Sequence, residues 1–476
     1  MKKFLTVLFL IQGIMLFGQT TFTGTGNWSD AGNWSAGVPT SASTAIIDGT
    51  LTVDGDAECT DLTINASAVV SVNPGNLLTV SGTLTNKAGV SGLILQSDAT
   101  GTGMLLNNTE GVQATVEQYI VKDKWHYMGI PVYTQTGVDP NNYYYNDPYS
   151  GYIEDVNSVL HNCYVAWSQE AEAEYGTVSG WHYLSSGDAM HVLQGYAVQY
   201  NLSSSDNDTT VAFTGTLNTG TISVNWSSEY YGYNLIANPY PVTMDWDAAG
   251  GKTLTNTNDA FYVWNPDLNS GTGAYGSYGS YVSGGSTNGQ TQYIAPMQGF
   301  FIRVWNVSSA VSFNNGCKTV NGPASFQKVN TANLQETQIK LAVTDNDINY
   351  DEMLLRIKDG STKGFDRSMD AGKMKAMESK QPLLYSEIDS EEYSINSIPE
   401  ISEDTKIQLK IVVKTDGEQK LVLKDLENYN YPYSIMLFDE NGNELSSLDR
   451  AGYSFSGKAG EVKSFYLGFK ISKIVE

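Results

Sequence analysis

The chain has 476 residues, room for two to four domains with sizeable cores, and sets 51 acidic side chains against 27 basic ones. The resulting formal net charge of −24 repels phosphate backbones and anionic lipid, which argues against nucleic acid and anionic membrane as partners. Only 16% of residues are charged, whereas Gly (46) and Tyr (30) are abundant beside Thr, Val and Ser, so the composition points to an all-β protein rich in turns.

Residues 1–18 read as a signal peptide. Lys2 and Lys3 form a short basic region, Phe4 to Phe17 is a mostly apolar run, and Gly18-Gln19 offers a small residue before a cut. That run is too short to span a bilayer, and no later segment reaches the roughly 20 apolar residues that spanning needs. The expectation is an exported chain without a membrane-spanning segment. Cys59, Cys163 and Cys317 are too few for a disulfide scaffold and fit no metal motif, so they read as small buried hydrophobes.

Residues 19–115 open with two Gly-Asn-Trp-Ser units centred on Trp28 and Trp34. Short runs such as AIID, LTV, DLTI, VVSV and LLTVSGTLT follow, alternating with period two between Gly, Asn and Ser. Leu62, Val70 and Leu78 lie eight residues apart. This spacing predicts a short β-helix, or strand-rich solenoid, with like side chains stacked inside; a run of plain hairpins would give nearly the same pattern.

Residues 116–330 contain a duplication. WHYMGIPV (Trp125 to Val132) is answered by YNLIANPYPV (Tyr233 to Val242), and YVAW (Tyr164 to Trp167) by FYVW (Phe261 to Trp264). LQGYAV (Leu193 to Val198) is likewise answered by MQGFFI (Met297 to Ile302), and VAFTG (Val211 to Gly215) by VSFNN (Val311 to Asn315). Four anchors in one order predict two equivalent sheet units in a central β-sandwich, with Trp125 matching Tyr233 and Gly195 matching Gly299. The prolines of Asn238-Pro239-Tyr240-Pro241 remove ladder donors and end a strand in a fixed corner. The tracts NNYYYNDPYSGY and GAYGSYGSYVSGG look too polar and Gly-rich for core strands and read as exposed loops.

Residues 331–476 hold 18 of the 27 Lys and Arg residues and alternate well, as in QIKLAV, EMLLRIK and KSFYLGFKI. They predict a second, outwardly charged β-sandwich, with a type I′ hairpin at Asn441-Gly442 and a helical turn or two at Met369 to Met377.

The chemical inventory is sparse. His126, His161, His182 and His191 form no HExxH pair, and His126 reads as a core residue. No glycine loop cradles phosphate, and no Gly-x-Ser-x-Gly elbow presents a nucleophile. No catalytic residue is assigned. The Asp-rich DNDINYDE, with Asp345, Asp347 and Asp351, and DENGNE (Asp439 to Glu444) could hold calcium (Ca2+) through hard oxygens, although turn chemistry explains both runs as well. Calcium is the one cofactor the sequence accommodates. Flat tyrosine rings stack on sugar C–H surfaces, which makes Tyr144, Tyr149, Tyr152, Tyr275, Tyr278 and Tyr281 the candidate ligand-binding residues.

Several segments together resemble the large multidomain surface and secreted proteins exported by the bacterial type IX secretion system. They are Trp28, Trp34 with Gly37-Val38-Pro39-Thr40-Ser41, Asp61 to Ile64, Trp125 to Val132, Asn234 to Pro241, Tyr262 to Trp264 and Met297 to Phe301. FDRSMDAGKM (Phe365 to Met374) and SFYLGF (Ser464 to Phe469) also look like that group's pre-terminal sandwich. The resemblance implies export across the outer membrane and an extracellular or cell-surface fate, and implies no enzyme activity. That group's C-terminal sorting domain is expected after SFYLGF, yet the sequence ends at Ile474-Val475-Glu476. Without that domain, the periplasm becomes the expected location.

The reading is an exported structural or adhesion-type protein without catalytic activity, meeting polysaccharide or other surface proteins. The alternative is a carbohydrate-binding or carbohydrate-processing protein that uses the tyrosine-rich loops.

Overall fold

The computed structural model describes residues 18–472 apart from 122–123, 134–141, 145–151, 155–159, 163, 168–180, 184–188, 199–208, 227–231, 269–275, 306–307, 323–335, 346–348 and 376–379. The described residues are all-β. The segment read as a signal peptide lies outside them, except Gly18.

The N-terminal region is a three-sided parallel β-solenoid. One side stacks Gln19–Phe22, Thr44–Ile47, Leu62–Ile64 and Leu84–Asn86, and a second stacks Thr25–Asn27, Thr50–Val53, Val69–Val72 and Leu93–Leu95. Ala57–Cys59, Leu77–Val80 and Met104–Leu106 make the third. Period-two alternation turns Ile47, Leu51, Val53, Leu62, Ile64, Val70, Val72 and Leu78 inward, all fully buried. Leu62, Val70 and Leu78 therefore occupy three successive sides of one coil. The eight-residue spacing measures a side, whereas the coils themselves vary; Ala45 pairs with Leu62 and Leu62 with Leu84. Phe22, Trp28 and Trp34 close the N-terminal end with ring centroids 5.1–5.2 Å apart.

No boundary separates this solenoid from the central region. Strand Gln113–Ile120 pairs in parallel with Leu93–Leu95 on one edge and antiparallel with Thr209–Leu217 on the other. One seven-stranded sheet thus runs from the solenoid into the first duplicated unit, and a single apolar core from Phe22 to Met297 lies behind it. The division expected at 115/116 falls inside a strand.

The duplication is structural. In the first unit, His126–Met128, Tyr196–Val198, Tyr164–Trp167 and Trp181–Tyr183 are neighbours in that order; in the second, Gly232–Ala237, Gly299–Val304, Thr257–Asn265 and Ser277–Val282 repeat it. Tyr127 faces Ala197 as Leu235 faces Phe301, and Trp167 faces Trp181 as Trp264 faces Tyr278. Counting along these ladders places Trp125 at the position of Tyr233 and Gly195 at that of Gly299. Each unit also has a second sheet, in which Thr209–Leu217 corresponds to Ser309–Phe313. In the second unit the two sheets meet over Ile236, Trp246, Phe261, Phe300, Val311 and Phe313.

The units grip each other reciprocally. Met128 bridges Gln298 and Ile236 bridges Gln194. Gly129 N donates to Met297 O (2.8 Å) and Ala237 N to Leu193 O (3.0 Å). Leu193 (φ 73) and Met297 (φ 60) adopt the left-handed conformation at matching positions, uncommon for non-glycine residues. The chain crosses itself here without room for side chains: a Cβ on Gly195 would lie 2.6 Å from Leu235 Cγ, and one on Gly299 2.6 Å from Tyr127 C.

The proline corner is organised by Asn238, which is fully buried. Its Nδ2 donates to Val242 O (2.8 Å), Ala295 O (3.0 Å) and Ile294 O (3.2 Å), while its Oδ1 accepts from Tyr240 N (3.0 Å). Buried Asn218 ties both units' corners together by donating to Ile130 O (2.9 Å) and Pro239 O (3.0 Å).

The C-terminal region, from Thr337, is a β-sandwich built from one long sheet path that ends in Glu444–Ser447 and Tyr453–Gly457. Its two halves enclose Ile339, Leu341, Met353, Leu409, Ile411 and Leu467. Two local expectations fail. Gly442 has φ 83 but Asn441 does not share a positive φ, so the DENGNE hairpin turns through Gly442 alone, with Gly442 N on Asp439 O, and a bulge follows. Ala371–Gly372, read as helical, is a short strand against Glu391–Ile398, because it is held between two regions rather than exposed.

Valine at Gly195 or at Gly299 should lower stability by about 1–3 kcal/mol in chemical denaturation, as overpacking does. The two effects should be similar, because the positions are equivalent. Gly55→Ala, where nothing lies within 4 Å, should leave the midpoint unchanged.

Candidate functional site

The tyrosine tract GSYGSYV is a buried strand, not a loop. Ser277–Val282 is covered along its whole length, with Tyr278 at 8% and Tyr281 at 3% exposure. Alternation sends Tyr281 into the unit's own core, where its hydroxyl meets Asp247, and sends Tyr278 and Val282 toward the C-terminal sandwich. Neither ring offers a free face to a sugar. The strand looked too polar for a core because its serines bond across the seam. Ser394 Oγ donates to Ser280 Oγ (3.0 Å), and Gln381 Nε2 donates to Ser277 Oγ (2.5 Å). Tyr149 and Tyr275 lie outside the described residues. For Tyr144 and Tyr152 only the backbone is described, in Asn142–Tyr144 against Ala189–His191 and in Tyr152–Glu154 against Leu160–Asn162.

What the structure gathers instead is an aromatic seam. Leu235, Ala260, Tyr262, Tyr278 and Phe301 of the second unit pack on Leu354, Ala371 and Ile395 of the C-terminal sandwich. Tyr127 joins from the first unit, its hydroxyl 2.9 Å from that of Tyr278 and its ring against Trp264 and Phe301.

Polar groups lock the seam. Arg356, fully buried, donates to Val282 O (3.0 Å) and Ser283 O (2.7 Å) and pairs with Glu336 (2.6 Å). Glu352 accepts from Asn288 N (2.7 Å), and Lys373 and Asp351 form a buried ion pair. Arg303 stacks 4.2 Å from the Trp305 ring, which packs on Phe365 (4.9 Å). A Cβ on Gly372 would reach Tyr233 Oη at 2.9 Å, so the FDRSMDAGK run fits only as the close strap it is. Sequence reading missed this role. Its one signal was Arg303, a charge within the otherwise apolar strand GFFIRV.

The candidate calcium ligands that are described already have partners. Asp345 accepts from Asn349 N (3.0 Å) and Thr415 Oγ1 (2.6 Å), whereas Asp351 serves Lys373 and Leu384 N; Asp347 is outside the described residues. Asp439 takes Asn441 N (2.9 Å) and Asn443 N (2.7 Å), which is turn chemistry. Among the described residues no group of three or more His, Cys, Asp or Glu is placed to hold a metal ion. His126 is buried in its strand with Nε2 3.2 Å from Val121 O. Burial pushes the thiols of Cys59 and Cys317 up to about 12, which leaves them unreactive at neutral pH. At the foot of the second unit, burial lowers Lys318 to about 8. Its Nζ donates to Asn107 O (2.8 Å) and Thr219 Oγ1 (2.9 Å), tying the solenoid to both units.

Two outcomes follow from the buried rings. Tyr278→Ala should cost about 3–5 kcal/mol, the range for emptying a large aromatic site, read as a fall in the denaturation midpoint. Burial also pushes Tyr127 and Tyr393 up to about 12. In the unfolded chain these phenols ionise near 10. Their contribution is therefore intact below pH 10 and lost as pH rises toward 12. A phenolate absorbance titration should show late-ionising tyrosines that titrate together with loss of β-sheet circular dichroism; one simple wave near pH 10 with the fold retained would contradict this.

A family model described as a domain of unknown function (DUF8693) matches residues 21–469, from within the first solenoid strand to the last strand of the C-terminal sandwich. No curated protein and no solved structure matches the chain. Solenoid, paired units and C-terminal sandwich thus fall within one matched unit, and the chain belongs to the DUF8693 family.

Proposed function

We propose that this chain is an exported, non-catalytic structural protein of the cell surface, acting as a stiff β-rich body between the surface and its surroundings. The observation that carries the reading is how the chemistry-bearing side chains are used. Asp351, Glu352, Lys373, Arg356 and the tyrosines of the second unit are spent on joining regions of the chain to one another. A catalytic site keeps such groups facing an opening, with perturbed acids and bases within reach of a substrate. Here buried Asp351 and Glu352 face lysines and backbone amides.

Export rests on Lys2, Lys3 and the apolar run to Phe17. No described helix is long and apolar enough to cross a membrane. The seven-stranded sheet shared by solenoid and first unit also supports a load-bearing role, because the two cannot part without breaking the strand ladder along Gln113–Ile120. The carbohydrate-binding alternative loses Tyr278 and Tyr281 and rests on Tyr144, Tyr149, Tyr152 and Tyr275.

Protein isolated from its native host should begin at or near Gln19 and be removed from intact cells by added protease. Intact Met1 in the cytoplasmic fraction, or full protection from protease in intact cells, would overturn the proposal.

A further inference from the structure

The solenoid's second side carries an ordered outer face. Inward positions Leu51, Val53, Val70, Leu93, Leu95 and Ala114 leave the alternate residues outside. Strand register aligns those into a row: Asn27, Thr52, Ser71, Ile94, Thr115 and, across the antiparallel step, Thr214. A second row, Thr25, Thr50 and Val69, runs beside it. Neither row contains a charge or an aromatic ring, on a protein whose net charge is −24. Glu117, one row further, accepts from Ser97 N (3.1 Å). Thr115 gives its hydroxyl to Val90 O (3.0 Å), whereas no protein partner takes those of Thr50, Thr52 and Ser71 among the described residues.

Hydroxyls recur at Thr52, Ser71, Thr115 and Thr214 of the first row and at Thr25 and Thr50 of the second, at positions set by the backbone, with Asn27, Ile94 and Val69 completing the rows. The rung spacing is about 4.7–4.9 Å, and the rows are about 6.6 Å apart along the strands. Such a face matches a repeating surface rather than a single molecule. In a tetrahedral water network with hydrogen bonds of about 2.75 Å, oxygens that share a neighbour lie about 4.5 Å apart. That is within a few tenths of an ångström of the rung spacing. Threonine suits this task because its hydroxyl joins the network while its methyl orders the water beside it. A lysine or carboxylate would hold its own hydration shell instead. Crystalline polysaccharide is disfavoured because neither row offers a ring to stack on sugar.

We propose that this uncharged threonine-serine-isoleucine face of the solenoid binds ordered water at an ice surface. The test uses the mature chain from Gln19 and ice itself as the probe, in recrystallisation and freezing-hysteresis measurements. The wild type should slow crystal growth, and Thr52→Lys should lose the effect with its melting temperature retained. Ser71→Tyr provides a second, uncharged disruption should Thr52→Lys fail to fold. Thr63→Lys, which faces outward on the neighbouring side, should keep the effect. A wild type no more active than an inert protein at equal concentration would overturn the proposal. So would full activity in a folded Thr52→Lys or Ser71→Tyr. Cosedimentation with crystalline polysaccharide that Thr52→Lys abolishes, without any effect of the wild type on ice, would assign the face to a glycan and likewise overturn it.

Discussion

The structure depends on one close crossing. A Cβ on Gly129 would lie 2.3 Å from that of Ala237, its counterpart in the second unit, so the two units meet backbone to backbone. Such proximity satisfies buried amides by exchange: Gly129 bonds to Met297, Ala237 to Leu193. The contact has the self-complementary form of a twofold interface, in which each unit contributes the same patch. Everything else hangs from it. The first unit extends one sheet into the solenoid; the second offers its aromatic sheet to the C-terminal sandwich, and the Asn238 corner anchors both to Leu105 through Pro241 O (2.9 Å).

The crossing was partly legible in the sequence. Its anchors are apolar and aromatic residues on both strands of each pair, and duplication repeats them in order, so the equivalence of Gly195 and Gly299 could be read by alignment within the chain. That a Cβ there would strike the other unit, rather than a neighbouring strand of its own, could not. The solenoid was visible through inward alternation, but irregular loops hid its coil length and left only the eight-residue step between sides. The continuity of the sheet across 115 was invisible, because Gln113–Ile120 has the same alternation whether its neighbour is parallel or antiparallel.

The tyrosine strand shows the opposite failure. Ser277, Gly279 and Ser280 look like loop residues because local composition cannot reveal that Ser394 and Gln381, more than 100 residues later, supply their partners. Small residues there admit a second domain, and the rings between them become mortar rather than a ligand platform. The same long-range logic applies to Arg356, which looks like an ordinary outward charge in EMLLRIK. It is buried because the turn after Val282 presents carbonyls to it. Residues that join regions are therefore the ones sequence reasoning mistook for binding or turn residues.

If the crossing organises the whole, its amides should open only when the molecule unfolds. Native-state hydrogen exchange measures this directly. The amides of Gly129 and Ala237 should exchange with the same opening free energy as Val116 in the sheet shared with the solenoid, and this value should equal the global unfolding free energy. Exchange of Gly129 or Ala237 through a cheaper, local opening, with the Val116 ladder still protected, would contradict it and show the units to be separately folded neighbours.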